Sequence, residues 1–187
     1  MNNRLVFFKE FLKHPLQIGG IIPSSKFLEQ RLLEISRVDS ANTIVELGSG
    51  TGSTTRAILR AMPKSSRLLV VEINPFFHKL VSNINDDRFI AHLGNACRLK
   101  EIISIYGLAA PDTIISGIPF STMSQSTGSH ILEAVSSLLV PNGRFVAYQA
   151  SKRVASLCRP LLGPEQMTLE LLNIPPMRVY KWRKGDK

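Results

Sequence analysis

From Thr43 onward the chain alternates short apolar runs with amphipathic stretches. The runs are Thr43–Leu47, Arg67–Glu72, Phe89–His92, Thr113–Ser116 and Arg144–Gln149. Helical spacing between and after them predicts helices over Ser53–Met62, Phe76–Asn83, Arg98–Tyr106, Ser129–Leu139 and Lys152–Leu161. Runs apolar on both faces and separated by helices predict a mostly parallel sheet covered on each side. Met167–Ile174 and Arg178–Trp182 follow, separated by Pro175-Pro176, and read as an antiparallel pair ending that sheet. Upstream, Val6–Leu12 is strongly apolar and Leu16–Pro23 reads as a bend. Ser24–Ser36 then resumes a helical pattern that Ser24 or Ser25 can cap. The expected division is a helical arm over 1–40 and one α/β domain over 41–187.

Composition narrows the class. With 44% hydrophobic and 20% charged residues, the 187-residue chain has the balance of a folded globular protein. No run approaches the roughly 18 apolar residues of a spanning helix. The opening MNNRLVFFKEFLKH is broken by Lys9, Glu10 and Lys13 and lacks a signal-peptide core, so a cytoplasmic location is expected. Cys97 and Cys158 stand far apart without metal-ligand spacing, so neither a disulfide framework nor a metal site is suggested. The net charge of +9 favours an anionic partner, a nucleic acid or an anionic membrane surface, without choosing between them.

The chemistry concentrates in Ile44-Val45-Glu46-Leu47-Gly48-Ser49-Gly50-Thr51-Gly52, a buried strand entering a three-glycine turn before a helix. Glycines allow the turn's dihedrals and a close ligand approach, and the helix start offers free N–H groups. A Walker loop would need a lysine here, and a dinucleotide fingerprint would need GxGxxG rather than this GxGxG. The spacing suits the loop of S-adenosylmethionine-dependent methyltransferases, with an acid two positions before the first glycine. Glu72 ends the next strand, 20 residues after Gly52. A carboxylate there can accept both hydroxyls of a ribose.

On these residues, from Thr43 to Trp182, the chain resembles class I S-adenosylmethionine-dependent methyltransferases. The resemblance implies a Rossmann-like α/β fold, a seven-stranded and mostly parallel sheet with an antiparallel last strand. S-adenosylmethionine is the implied cofactor and S-adenosylhomocysteine its product. Glu46 is implied to face the methionine end, and Gly48, Ser49, Gly50, Thr51 and Gly52 to form the loop. Glu72 is implied at the ribose with Ile73 beside it, Asn95 and Ala96 at the adenine, and Ser116 near the methyl group. Many members carry Asp where this chain has Asn95, whose amide oxygen can still accept from the adenine amine.

After the fourth strand comes Ser116-Gly117-Ile118-Pro119-Phe120, at the position where amine-methylating members hold the acceptor. Those members usually have Asn where this chain has Gly117. Phe120 and the turn's carbonyls are thus the groups expected to orient an amine, with Phe120 available for cation–π attraction to a methylated headgroup. His130, the nearest candidate base, reads better as a plain helix residue. The layout resembles ribosomal RNA adenine dimethylases, but the missing Asn disfavours gripping a flipped base.

The chain is closer to bacterial phospholipid N-methyltransferases, which methylate phosphatidylethanolamine towards phosphatidylcholine. Three segments carry this resemblance: Ile18–Ser25, Ser116–Phe120 and Asn173–Val179, the last departing at Met177. The resemblance implies an aminolipid acceptor. The first helix, with Phe7, Phe8 and Phe11 among Arg4, Lys9, Lys13 and His14, can lie in an anionic headgroup layer. The basic C-terminal run Arg178, Lys181, Arg183, Lys184 and Lys187 adds positive charge. The expectation is an enzyme peripheral on the inner membrane face. An RNA methyltransferase is the alternative, and a nucleoside-binding module without turnover the non-enzymatic one.

Overall fold

A computed structural model describes residues 25–173 and 176–186. The expected first helix, the bend, Ile174, Pro175 and Lys187 lie outside the described residues.

Seven strands form one sheet: β1 (Thr43–Leu47), β2 (Arg67–Glu72), β3 (Phe89–Leu93), β4 (Thr113–Ser116), β5 (Arg144–Gln149), β6 (Gln166–Glu170) and β7 (Met177–Arg183). Their order is β3-β2-β1-β4-β5-β7-β6. β1 to β5 run parallel, whereas β7 lies antiparallel to both neighbours, β5 and β6. The expected fold class is therefore what the chain adopts. Successive strands are added in one sense across the sheet from β1 to β3 and in the other from β4 to β5, a switch point that opens a crevice at the carboxyl ends of β1 and β4.

Among the described residues six α-helices cover the sheet: α1 (Lys26–Ser36), α2 (Ser53–Ala61), α3 (Pro75–Ser82), α4 (Leu99–Ile105), α5 (Gln125–Leu138) and α6 (Arg153–Leu162). All five residues of β1 are buried, as a central parallel strand requires. On one face Val45, Leu47, Phe145 and Ala147 form a core with Ile102 of α4, Leu132 of α5 and Val154 of α6. On the other, Ile44, Val146 and Tyr148 join Leu28 and Leu32 of α1, Ile58 of α2 and Val81 of α3. Trp182 of β7 is fully buried and stacks on Phe145 with ring centres 5.4 Å apart.

Most element boundaries fall within one or two residues of expectation, and three differences have a visible cause. α5 starts four residues before Ser129, because Ser124 caps it by accepting from the Thr127 N–H at 3.1 Å. The predicted helix at Arg98 begins instead with a tight turn over Ala96–Arg98, held by Asn95, whose Oδ1 accepts from the Cys97 N–H. β6 ends at Glu170, whose Oε1 accepts from the Leu172 N–H at 3.0 Å and turns the chain. Across the resulting β6–β7 turn, Asn173 Oδ1 accepts from the Ser25 N–H at 2.9 Å. Two of the three segments behind the lipid-enzyme resemblance therefore meet at the root of α1.

Candidate active site

The carboxyl ends of β1, β2, β3 and β4 surround a cavity of about 400 Å³. One wall is the glycine turn with Glu72, Ile73 and Asn74. Gly94, Asn95 and Ala96 close one end, and Gly117, Ile118 and Pro119 the other. Thr122, Met123, Thr127 and Ile131 complete the lining from the α5 side.

Backbone geometry explains the glycine turn. Gly48, Gly50 and Gly52 all have positive φ, at 78°, 52° and 79°. L side chains rarely adopt this conformation, and it turns the β1 exit sharply into α2. At Gly52, which caps α2, an added Cβ would also lie 2.7 Å from Val81 Cγ1 and 2.8 Å from Arg56 Nη1. Arg56 itself closes the turn by donating to the Thr51 and Gly52 carbonyls, each at 3.0 Å.

Two buried carboxyls converge on this turn. Glu72 Oε2 accepts from the Gly50 N–H at 3.1 Å and from Ser49 Oγ at 3.3 Å, while Oε1 accepts from the Asn74 N–H at 2.9 Å. Burial raises its pKa, against the opposing pull of those donors. Glu46 is completely buried, and its Oε2 accepts from Thr55 Oγ1 at 2.6 Å. Its Oε1 has no hydrogen-bond partner among the described residues. Burial pushes the Glu46 carboxyl up to about 8, opposed by the Thr55 bond and reinforced by the nearby Glu72 charge. An orphaned buried acceptor is costly.

These features fit the implied cofactor. Glu46 does not line the cavity: it is buried behind the glycine turn, with Oε1 as an unpaired acceptor. Glu72 stands at the cavity wall with a spare lone pair on Oε1 for a ribose hydroxyl. Ile73, 61% exposed, is placed to cover an adenine, and Ala96 lines the same end. Asn95 lines the cavity, but its Oδ1 already accepts from the Cys97 N–H at 2.9 Å. Ser49 and Thr51 are buried within the turn, where Ser49 steadies Glu72 rather than lining the cavity.

The acceptor side is arranged differently from the sequence expectation. Gly117, Ile118 and Pro119 line the cavity, but Ser116 is fully buried and its Oγ accepts from the Ile118 N–H at 3.3 Å. Phe120 does not line it either. A short turn over Phe120–Thr122 carries its ring into the core, where it is fully buried near Gly128 of α5. A cation–π contact from Phe120 to a headgroup is therefore not supplied by this geometry. His130 is exposed on α5 and stands outside the lining.

Several contributors escape sequence reasoning. Asn74 both caps α3, accepting from the Phe76 N–H at 2.9 Å, and donates to Glu72. An Asn-Pro at a helix start was the available signal. Thr55, which donates to Glu46, carries no local signal, because its role depends on which strand and helix become neighbours. Among the described residues no group of three or more His, Cys, Asp or Glu could hold a metal ion. None of the described helices is long and apolar enough to cross a membrane.

No family model matches the chain. It is 28% identical over 183 residues to the ornithine lipid N-methyltransferase of Singulisphaera acidiphila, covering 96% of this chain and 95% of that protein. Among solved structures, the N-methyltransferase NodS from Bradyrhizobium japonicum with S-adenosyl-L-homocysteine superposes with a TM-score of 0.71 at 12% identity. That match covers 98% of this chain and 99% of NodS. The Salinibacter ruber RNA methyltransferase gives 0.62 at 17% identity, over 89% and 95% of the two chains. TomG, an O-methyltransferase from Streptomyces achromogenes, gives 0.69 at 14% identity, over 99% and 91%. Such distant structural likenesses report fold and do not separate acceptors. With its strand order, three positive-φ glycines and paired strand-end carboxyls, the chain has the fold of the class I S-adenosylmethionine-dependent methyltransferases.

Proposed function

We propose that the protein is an S-adenosylmethionine-dependent N-methyltransferase acting on the amine headgroup of an aminolipid. One observation carries the reading: a single cavity joins the glycine turn and Glu72 to the Gly117–Pro119 turn. Cofactor-type and acceptor-type walls therefore share one space. The two turns touch, since a Cβ on Gly48 would meet Ile118 Cγ1 at 3.4 Å, and the Gly117 N–H donates to the Leu47 carbonyl at 2.9 Å. Gly48, Gly50, Glu72, Ile73, Asn95 and Ala96 bind the cofactor, and Gly117, Ile118 and Pro119 border the acceptor. Glu46, Ser49, Thr51, Gly52 and Ser116 support these walls from behind. When bound, S-adenosylmethionine supplies an electrophilic methyl group. The chain's part is to orient the acceptor nitrogen and exclude water, through which positioning provides much of the rate.

The choice of a lipid rests on the near full-length likeness to an ornithine lipid N-methyltransferase. The aromatic and basic segment 1–14 supports docking on an anionic membrane at its cytoplasmic face. In this reading it is the outer part of an arm over 1–40, whose helix α1 is packed on the sheet. Ornithine lipid and phosphatidylethanolamine both present an amine of the required kind, and a nucleic acid is disfavoured. The test is transfer of labelled methyl groups to vesicles containing either lipid and, separately, to total RNA. Label in lipid is expected; label in RNA with none in lipid would replace this reading with the RNA methyltransferase one. Cofactor binding without transfer to either would favour a module without turnover.

A further inference from the structure

The outermost strand of the sheet ends in exposed leucines. At the end of β6 and in the turn after it, Leu169, Leu171 and Leu172 are 46%, 65% and 61% exposed. Single apolar residues on a surface are ordinary, but a contiguous group of them marks an interaction site. Direction places the group. β6 runs antiparallel to β7, and β7 antiparallel to β5, so β6 points the same way as β1 to β5. Its carboxyl end, and the two leucines beyond it, therefore lie at the end of the sheet where the cavity opens. Register gives the distance. Leu169 pairs with Arg178 and Arg178 with Gln149, which puts Leu169 two strand spacings, about 10 Å, from Gln149. Gln149 donates from Nε2 to the carbonyl of Ile118, a residue of the cavity wall, at 3.5 Å.

The charge around this turn is positive. Lys152 and Arg153 follow β5, Arg178 stands between Leu169 and Gln149, and Lys26 follows Ser25, whose N–H is bonded to Asn173 of the turn. None of these four bases forms an ion pair among the described residues. Glu170, the one acid of β6, is buried, and its Oε1 accepts from the Leu172 N–H at 3.0 Å. It holds the turn instead of facing outward.

We propose that the carboxyl end of β6 is a membrane-inserting tip: Leu171 and Leu172 enter the acyl boundary of an anionic bilayer, and Lys26, Lys152, Arg153 and Arg178 meet its headgroups. The proposal rests on the aminolipid reading above and names the part of the folded domain that serves it. Apolar side chains ringed by bases match a hydrocarbon layer covered by anionic headgroups. The tip is carried on the β5–β7–β6 ladder, so its seating sets how far the cavity mouth stands from the bilayer. Tip and mouth share one end of the sheet, and the acceptor enters by its headgroup while its chains stay in the bilayer. An edge strand also offers its ladder to a second copy of the chain. Such pairing would use β6 itself and leave Leu171 and Leu172, which lie beyond its last paired residue Glu170, without a role.

Two variants of the full chain test this on vesicles of equal parts phosphatidylcholine and phosphatidylglycerol. Leu171→Trp puts a reporter at the tip, and the chain's own tryptophan, the buried Trp182, is the control. Phosphatidylcholine brominated on its acyl chains is expected to quench the added emission and to leave wild-type emission unchanged. No quenching of the added tryptophan overturns the proposal. Leu171→Asp with Leu172→Asp is expected to weaken vesicle binding about tenfold or more, with S-adenosylhomocysteine affinity unchanged as the sign of a folded protein. Unchanged vesicle binding overturns the proposal, and if S-adenosylhomocysteine affinity is lost the quenching result decides. A dimer in vesicle-free solution that the paired Asp variant dissociates overturns it in favour of a second copy. A tryptophan at 171 already shielded from iodide before vesicles are added overturns it in favour of cover by the chain's own residues 1–24. Methyl transfer separates the proposal from the reading beneath it. The paired Asp variant should lose transfer to ornithine lipid in vesicles and keep it for a short-chain ornithine lipid dissolved as monomers, and equal loss on both overturns the docking role. A wild type that methylates neither ornithine lipid nor phosphatidylethanolamine overturns the aminolipid reading, while the quenching result still decides insertion.

Discussion

Glu46→Gln tests the electrostatics of the site before any substrate is known. Glu46 is fully buried, its carboxyl pushed from 4.5 up to about 8. Below pH 4.5 both folded and unfolded chains hold the proton. As pH rises from 4.5 to 8 the unfolded chain releases it while the folded one keeps it, so stability falls by up to about 1.4 kcal/mol per pH unit. The cumulative loss is on the order of 4 kcal/mol at pH 8, and no more is lost above that. Gln has nearly the same shape, keeps an oxygen for the Thr55 hydroxyl and does not titrate. Urea unfolding of the ligand-free proteins at pH 5, 6.5 and 8 is expected to give similar stabilities at pH 5. At pH 8 the variant should be the more stable by a few kcal/mol. Parallel pH profiles for the two ligand-free proteins would refute the assigned burial and the cost of ionising Glu46.

Gly52→Ala forces an L residue to φ 79° against Val81 and Arg56, and is expected to lower stability by about 1–3 kcal/mol and weaken S-adenosylmethionine binding. Thermal unfolding and calorimetry check both. Glu72→Ala removes the acceptor shared by Ser49, Gly50 and Asn74, so S-adenosylmethionine affinity should fall at least about tenfold; unchanged affinity would remove the ribose assignment. Phe120→Ala, at a fully buried ring, should cost about 3–5 kcal/mol of stability in denaturant unfolding. Phe120→Leu, in contrast, should retain methyl transfer in proportion to folded protein. Deleting residues 1–14 is expected to weaken sedimentation with anionic liposomes while S-adenosylmethionine affinity is unchanged, and undiminished sedimentation would exclude that segment as the membrane contact.

Much of the fold was legible because the central strands announce themselves. Val45, Leu69 and Ile114 sit in runs with no polar face, and β1 is followed at once by glycines whose positive φ values the GxGxG spacing anticipates. The place of Glu72 at the cavity wall was legible for the same reason, since it ends β2, where direction and depth follow from the strand itself; Glu46, one residue before the end of β1, is buried behind that wall. The start of α5 was not, because Gln125–Ser129 has no apolar period and owes its helical state to Ser124. Phe120 was misplaced for a related reason. The tight turn that follows Pro119 rotates its ring by an amount no spacing rule supplies. The contact of Tyr148 with Gly117 was invisible because it lies in a register: one residue's slip between β4 and β5 would put a different side chain against Gly117.

The bond from the Ser25 N–H to Asn173 Oδ1 fixes where α1 begins against the rest of the protein. That point lies by the β6–β7 turn, at the edge of the sheet where β5 ends and the cavity opens. For an enzyme that takes its acceptor from a bilayer, as proposed above, the supply of substrate is a density in a plane. Its rate is then governed by the mole fraction of acceptor lipid in the bilayer rather than by total lipid in the tube. Diluting the acceptor with inert lipid at constant total lipid should slow such an enzyme, whereas diluting the whole vesicle suspension under bound conditions should not.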